Sequence, residues 1–229
     1  IVEISKKGYR VYTDTLTLTE IAAFSCIDGA PYKVILEKIT ELVLQPGPAE
    51  GKDAFIEEYP EANYSNRNFG NYPEILASAW TADGIPLKIR SLIEFDLAEI
   101  PEGTKIKSAK LSLYHAISSG HGLGHSSQSG SNEWLLQRVT SDWSEDKVTW
   151  NTRPSFTDQN EVLVSESTDP YQDYVDIDVT SLIQDIIDNP TASFGIQLKL
   201  ATESYYRKVI FSSSDCSDST LWPKLVVEI

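Results

Sequence analysis

The run Glu94-Phe95-Asp96-Leu97-Ala98-Glu99 places three carboxylates within six residues. In an extended chain Glu94 and Asp96 share a face, because side chains alternate with a period of two. Retaining glycoside hydrolysis uses two carboxyls about 5–5.5 Å apart, one a nucleophile and one an acid of raised pKa. Glu99, however, is followed at once by Ile100-Pro101, which ends the strand. A glycoside hydrolase built on Glu94 and Glu99 is therefore the most distant reading, and the chain is expected not to be an enzyme. His115, His121 and His125 all fall in one segment rich in Gly and Ser. A spacing of four suits a metal on a helix, but the glycines between His121 and His125 disfavour one, and a zinc site needs further ligands. A solvated polar loop is expected. Among the carboxylates near loops, Asp142, Glu145, Asp176 and Asp178 are the candidates for a structural calcium, with Asp146, Asp215 and Asp218 behind them. None has EF-hand spacing, so plain solvated acids are the expectation, and no other cofactor is implied. There is no G-x-S-x-G, H-E-x-x-H or phosphate-binding glycine loop.

The remaining chemistry is recognition. Glycan-binding modules stack sugar rings on exposed aromatic side chains and hold hydroxyls with polar ones. Tyr72, Tyr205, Tyr206 and Trp222, with Arg207, are the candidate ligand-binding residues. Tyr205-Tyr206-Arg207 lies at an expected strand start, where only one tyrosine would face outward. Trp80, Trp143 and Trp150 are assigned to packing. The formal net charge is −15 over 229 residues, which disfavours nucleic acid and anionic lipid as partners. A polyanionic glycan would need a local basic patch, for which Arg67, Lys88, Arg90, Arg207 and Lys208 are the candidates. A neutral ligand fits better. Cys26 and Cys216 are either a disulfide, sensible in an oxidising compartment, or two separate thiols.

The elements that must position these residues are mostly strands. Ile93, Phe95 and Leu97 alternate with Glu94 and Asp96; Ala109, Leu111 and Leu113 alternate with Lys110, Ser112 and Tyr114. Ile100-Pro101-Glu102-Gly103 turns the chain between them, so the two strands pair or sit in opposite sheets. Further strands are expected at Tyr9–Thr13, Thr15–Thr19, Ile39–Gln45, Asp53–Ile56, Ile75–Trp80, Trp134–Thr140, Glu161–Ser165, Tyr174–Val179, Ile196–Leu200, Val209–Phe211 and Leu225–Ile229. Asp28–Pro31 is read as a turn, and Tyr32–Leu44 fits two short strands better than a helix. Residues 115–132 cannot bury apolar surface and form a loop with a mobile tip. One helix follows Ser181, where Ser181-x-x-Gln184 suggests a capping box, Leu182, Ile183, Ile186 and Ile187 make one stripe, and Asn189-Pro190 stops it. With 41% apolar residues the core needs no disulfide, and no apolar run is long enough to insert in a membrane. The absence of Met and the Ile at position 1 suggest a chain whose signal peptide has been removed.

Arg90–Tyr114, read as R-S-L-I-x-F-D-L-x-x-I-P-x-G-x-x-I-x-S-A-x-L-x-L-Y, resembles the central motif of DNRLRE-domain proteins, a group overlapping carbohydrate-binding module family 96. The resemblance continues through Trp143-Ser144-Glu145, Val148-Thr149-Trp150-Asn151, Pro154, Asp178-Val179-Thr180, Phe194-Gly195, Ser212–Asp215 and Pro223-Lys224-Leu225, covering roughly Ile39–Ile229. It implies an all-β, jelly-roll sandwich over 39–229, with residues 1–38 as a small β appendage packed on it. It also implies a bacterial, extracellular or cell-surface protein that binds polysaccharide without catalysis, sometimes beside other domains of a larger surface protein. Some related modules are similar to binders of alginate, which this acidic chain would repel, so a neutral polysaccharide is the expected ligand. The alternative is a cell-surface adhesion or structural domain. Two departures from the family pattern stand out. Its single Asn-Tyr-Gly is matched here by both Asn63-Tyr64-Ser65 and Asn68-Phe69-Gly70, and Trp222 stands where a polar residue is usual. The run from Glu94 to Glu99 also looks like the catalytic strand of family 16 glycoside hydrolases, without their adjoining sequence.

Overall fold

The computed structural model describes Val2–Ile4, Tyr12–Asp14 and residues 41–229. Cys26 and the turns and strands expected between 15 and 40 lie outside the described residues. Near the N-terminus β1 (Val2–Ile4) and β2 (Tyr12–Asp14) pair antiparallel. The remaining strands are β3 (Glu41–Leu44), β4 (Lys52–Glu58), β5 (Glu74–Ala82), β6 (Ile85–Glu94), β7 (Ser108–Leu113), β8 (Ser126–Ser127), β9 (Trp134–Val139), β10 (Phe156–Val164), β11 (Tyr174–Asp178), β12 (Ile196–Leu200), β13 (Arg207–Ser212) and β14 (Lys224–Glu228). They form an all-β sandwich of two sheets. One sheet has the order β11-β7-β14-β3; the larger runs β10-β9-β12-β6-β5-β13-β8, with β4 on the free side of β6.

The alternating runs fall where their periodicity demands. Ile93 and Phe95 from the large sheet face Ala109, Leu111 and Leu113 of the small one, and all are buried in the main core with Trp134, Leu198, Phe211 and Leu225. The two strands therefore sit in opposite sheets. β6 begins earlier than its alternation suggests, at Ile85, because Asp83 (φ 49°) and Gly84 (φ 80°) form a two-residue hairpin turn with β5. Positive φ at both central residues matches the right-handed twist of paired strands.

At Ser91 the large sheet forks. β6 pairs with β5 over Ile85–Ile89 and with β12 over Ser91–Ile93, on the same edge. Where β5 leaves, the Ser91 hydroxyl donates to the Leu76 carbonyl and accepts from the Leu76 N–H, both at 2.8 Å. A fully buried serine thus replaces the ladder bonds that the separating strands cannot make. The fork gives β4 and β5 an outer face turned away from the main core, carrying a second apolar cluster of Phe55, Phe69, Leu76, Leu87, Ile89 and Ile210. On the opposite face of β4, Ala54 and Ile56 pack with Leu92, Trp143, Val148 and Trp150.

Helix α1 (Thr180–Asp188) closes one end of the main core with Leu182, Ile183 and Ile187. The expected capping box does not form. Thr180 is already helical, and the Asp178 carboxylate accepts from its N–H (3.0 Å) and its hydroxyl (2.6 Å). Gln184 instead bonds Ile106 N–H and the Thr104 carbonyl, tying the helix to the turn before β7. Residues 115–132 are not simply solvated either: β8 pairs with β13, and His125 and Asn132 are buried.

Candidate functional site

The outer face of the forked sheet collects polar side chains that a strand pattern assigns to solvent. Glu57 pairs in register with Ile89, Ile89 with Ser78, Ser78 with Lys208, and Lys208 with Ser126. Residues opposite one another in neighbouring strands share a face, so these form one row across β4, β6, β5, β13 and β8. Glu57, Ser78 and Lys208 are buried there. Lys208 Nζ donates to the carbonyls of His121 (2.8 Å) and Gly122 (2.6 Å), and burial lowers its pKa. His121 Nδ1 meets Glu74 Oε1 at 2.7 Å, and its ring stands edge-on to Phe55 with centroids 5.1 Å apart. Burial raises the Glu57 carboxyl, with His121 and Arg67 acting against that rise. Among the described residues, Glu57 Oε2 and Glu74 Oε2 are buried without a hydrogen-bond donor.

Aromatic rings border this row on two sides. Phe55 and Phe69 stack at 4.4 Å, and the Tyr72 ring lies edge-on to both at 5.3 Å while remaining 37% exposed. Arg67 lies over the Tyr64 ring at 4.4 Å. At the other side Tyr206 stands perpendicular to Trp80 at 5.2 Å, with Tyr205 beside it. Both tyrosines are exposed, contrary to the expectation of one outward ring, because they precede β13 in a turn and Tyr206 takes φ 65°. A tyrosine in the left-handed region is sterically disfavoured and held there by its surroundings; Tyr206 Oη lies 3.3 Å from Thr81 Oγ1.

The segment Asn68–Gly70 settles which Asn-aromatic copy docks. Asn68 Nδ2 donates to the carbonyls of Glu145 (2.6 Å) and Val148 (2.9 Å). A Cβ on Gly70 would lie 2.2 Å from the Glu145 carbonyl oxygen, so only glycine fits. Asn63-Tyr64-Ser65 forms the 3-10 turn Glu61–Asn66 above it.

The other sequence candidates fall elsewhere. Arg207 donates to the carbonyls of Ser129 and Ser131, bracing the loop before β9. Trp222 is half-buried: Nε1 donates to the Cys216 carbonyl at 2.7 Å, and its ring lies so close to Gly47 that a Cβ there would sit 2.3 Å away. Cys216 is buried. Trp143 and Trp150 are buried as packing residues, while Trp80 is half-buried. His115 pairs with Asp173 at 2.8 Å. His125 Nδ1 accepts from Ile210 N–H and Nε2 donates to the Gln172 carbonyl, so it is a neutral structural link. Asp142 is exposed and accepts from Trp143 N–H; Asp176 lies at the irregularity in β11; Asp178 and Asp218 serve as caps. Asp146 accepts from Ser144. Of the calcium candidates, only Glu145 and Asp215 approach one another, with Asp53.

Glu94 and Asp96 line a cavity of about 440 Å³ between β6 and α1, floored by Phe95, Ile183 and Ile187. Glu94 is paired there with Lys52 at 2.5 Å, and exposed Glu99 is not among the lining residues. This gives no facing pair of free carboxyls at that position. The candidate basic patch is likewise occupied: Lys88 pairs with Glu58, and Arg90 forms a two-point ion pair with Glu203. No described helix is long and apolar enough to cross a membrane.

Glu57 and Glu74 were not legible as site residues, since an acid in an alternating strand reads as solvent-facing; the aromatics around them were the only available signal. A comparison with curated proteins gives no match. The fork, the docked Asn68–Gly70 and the buried Trp143 and Trp150 all lie within residues 49–229, which match the model of carbohydrate-binding module family 96, and the chain belongs to that family.

Proposed function

We propose that the protein is a non-catalytic module that binds a neutral polysaccharide on the outer face of the forked sheet. Family membership supports carbohydrate as the ligand class. The observation that carries the rest is the pair of exposed rings, Tyr72 and Tyr206, that border this polar face, with Glu57 and Glu74 buried beneath it. Acidic groups beneath the face disfavour sugar carboxylates or sulfates above it and leave a neutral sugar unaffected. Four of the five cations that would attract a polyanion are held otherwise, Lys88 and Arg90 by glutamates, Arg207 and Lys208 by backbone carbonyls, while Arg67 lies over the Tyr64 ring. A bacterial, extracellular or cell-surface setting, kinship with DNRLRE-domain proteins and a division of the chain near residue 38 belong to the same proposal.

Affinity electrophoresis through gels containing neutral or acidic polysaccharides tests it. Affinity for a neutral glycan should fall about fivefold or more in Tyr72→Ala and Tyr206→Ala, taking about 1–3 kcal/mol, the range for bases stacked on aromatic rings, for a lost stacking contact. Trp222→Phe should leave it unchanged. Retardation only in polyanionic gels, or equal retardation of the tyrosine variants, would overturn the reading.

A further inference from the structure

Three carboxylates from separate parts of the chain converge behind the start of β4. Asp53 lies on β4, Glu145 on the loop between Trp143 and Trp150, and Asp215 just after β13; one oxygen of each lies within 4.8 Å of the others. Asp53 is only 2% exposed. Backbone amides fix two of them: Ser214 N–H donates to Asp53 Oδ2 and Asp53 N–H to Glu145 Oε1, each at 2.9 Å. No cationic side chain forms an ion pair with any of the three among the described residues; nearby Lys52 directs its ammonium to Glu94. Burial pushes Asp53 up to about 7, and the Asp215 and Glu145 charges add to the rise.

A second observation is independent of the acids. Ser214 is 2% exposed, and its hydroxyl oxygen has no hydrogen-bond partner of normal geometry, although it lies against the Asp53 carboxylate. Gly51 leaves room for it: a Cβ there would sit 2.5 Å from Ser214 Oγ. A buried hydroxyl left unpaired is destabilising unless something else takes its lone pairs. We propose that Asp53, Glu145, Asp215 and Ser214 Oγ form a calcium site that staples β4 to the Glu145 loop and to the segment after β13. The donors are all oxygen, three of them anionic, which selects a hard cation over zinc or copper. They come from loops and a strand end in no regular arrangement, which suits the flexible six- to eight-oxygen shell of calcium better than the strict octahedron of magnesium. Of the calcium candidates drawn from the sequence, Glu145 and Asp215 belong to this set, and the structure adds Asp53.

The test is thermal unfolding of chelator-treated protein with added CaCl2, MgCl2 or EGTA, without glycan, so that its outcome is separate from that of the binding assay. Millimolar calcium should raise the wild-type midpoint by about 5 °C or more, reversed by EGTA, with magnesium much weaker. Asp215→Asn should lose this increment yet unfold at no lower a temperature than wild type in EGTA, because it removes a repelling charge. Asp178→Asn should keep the full increment. A wild-type midpoint indifferent to calcium, an equal response to magnesium, or a full response in Asp215→Asn would each overturn the site.

Discussion

Three residues, Ser91, Gly70 and His125, carry structural duties out of proportion to their size. Ser91→Ala leaves both backbone groups of buried Leu76 unpaired, so a loss of about 2–4 kcal/mol is expected in urea unfolding, against near neutrality for a serine at the surface. Gly70→Ala forces a methyl against the Glu145 carbonyl and should cost about 1–3 kcal/mol. His125 offers a pH test. Burial lowers its pKa below the ordinary 6.5, with Lys208 and His115 acting in the same direction and the Gln172 carbonyl and Asp173 opposing. The unfolded chain therefore takes up the proton first, and the contribution of neutral His125 declines as pH falls below about 6.5. The stability gap between wild type and His125→Gln should narrow from pH 7.5 to pH 5; a gap that widens on acidification would contradict the assigned neutral state.

Among the elements, α1 shows how a cap can lie outside the motif that suggests it. Its start is set by Asp178, the last residue of β11, which also meets Lys110 at 2.9 Å. The Thr180 hydroxyl and Lys110 hold the Asp178 carboxyl down at about 2. A depressed carboxyl stabilises above its unfolded pKa of about 4 and loses that contribution as pH falls through about 2. Asp178→Ala should therefore cost about 1 kcal/mol at pH 7 and progressively less from pH 4 to pH 2, as read by chemical denaturation. The ion pair itself is largely exposed and adds little.

At the scale of the molecule, two sheets enclose one main core while the fork opens a second surface behind it. Leu111, fully buried between the sheets, should lose about 2–5 kcal/mol on replacement by Ala, without effect on glycan retardation under conditions where the variant is folded. The net charge of −15 acts at this scale too. Binding of a neutral glycan should be insensitive to salt between about 50 and 500 mM, because no long-range attraction is being screened. A steep loss of retardation with salt would point to a polyanion.

Alternation was enough to assign most strands between 41 and 229, and the apolar stripe located α1, because burial on one face writes its period into the chain. The same logic hid the site. Glu57 and Glu74 look like outward acids until the His121–Gly122 segment and the Phe69 and Tyr72 rings pack over that face, and Asp53 looks like a polar edge until Glu145 and Asp215 arrive from 92 and 162 positions further along. Trp222 looked free until Gly47 came to rest on its ring. Local sequence dictated which residues turn inward; only the tertiary structure decided which of the outward ones meet, since that depends on contacts whose partners lie far apart in the chain.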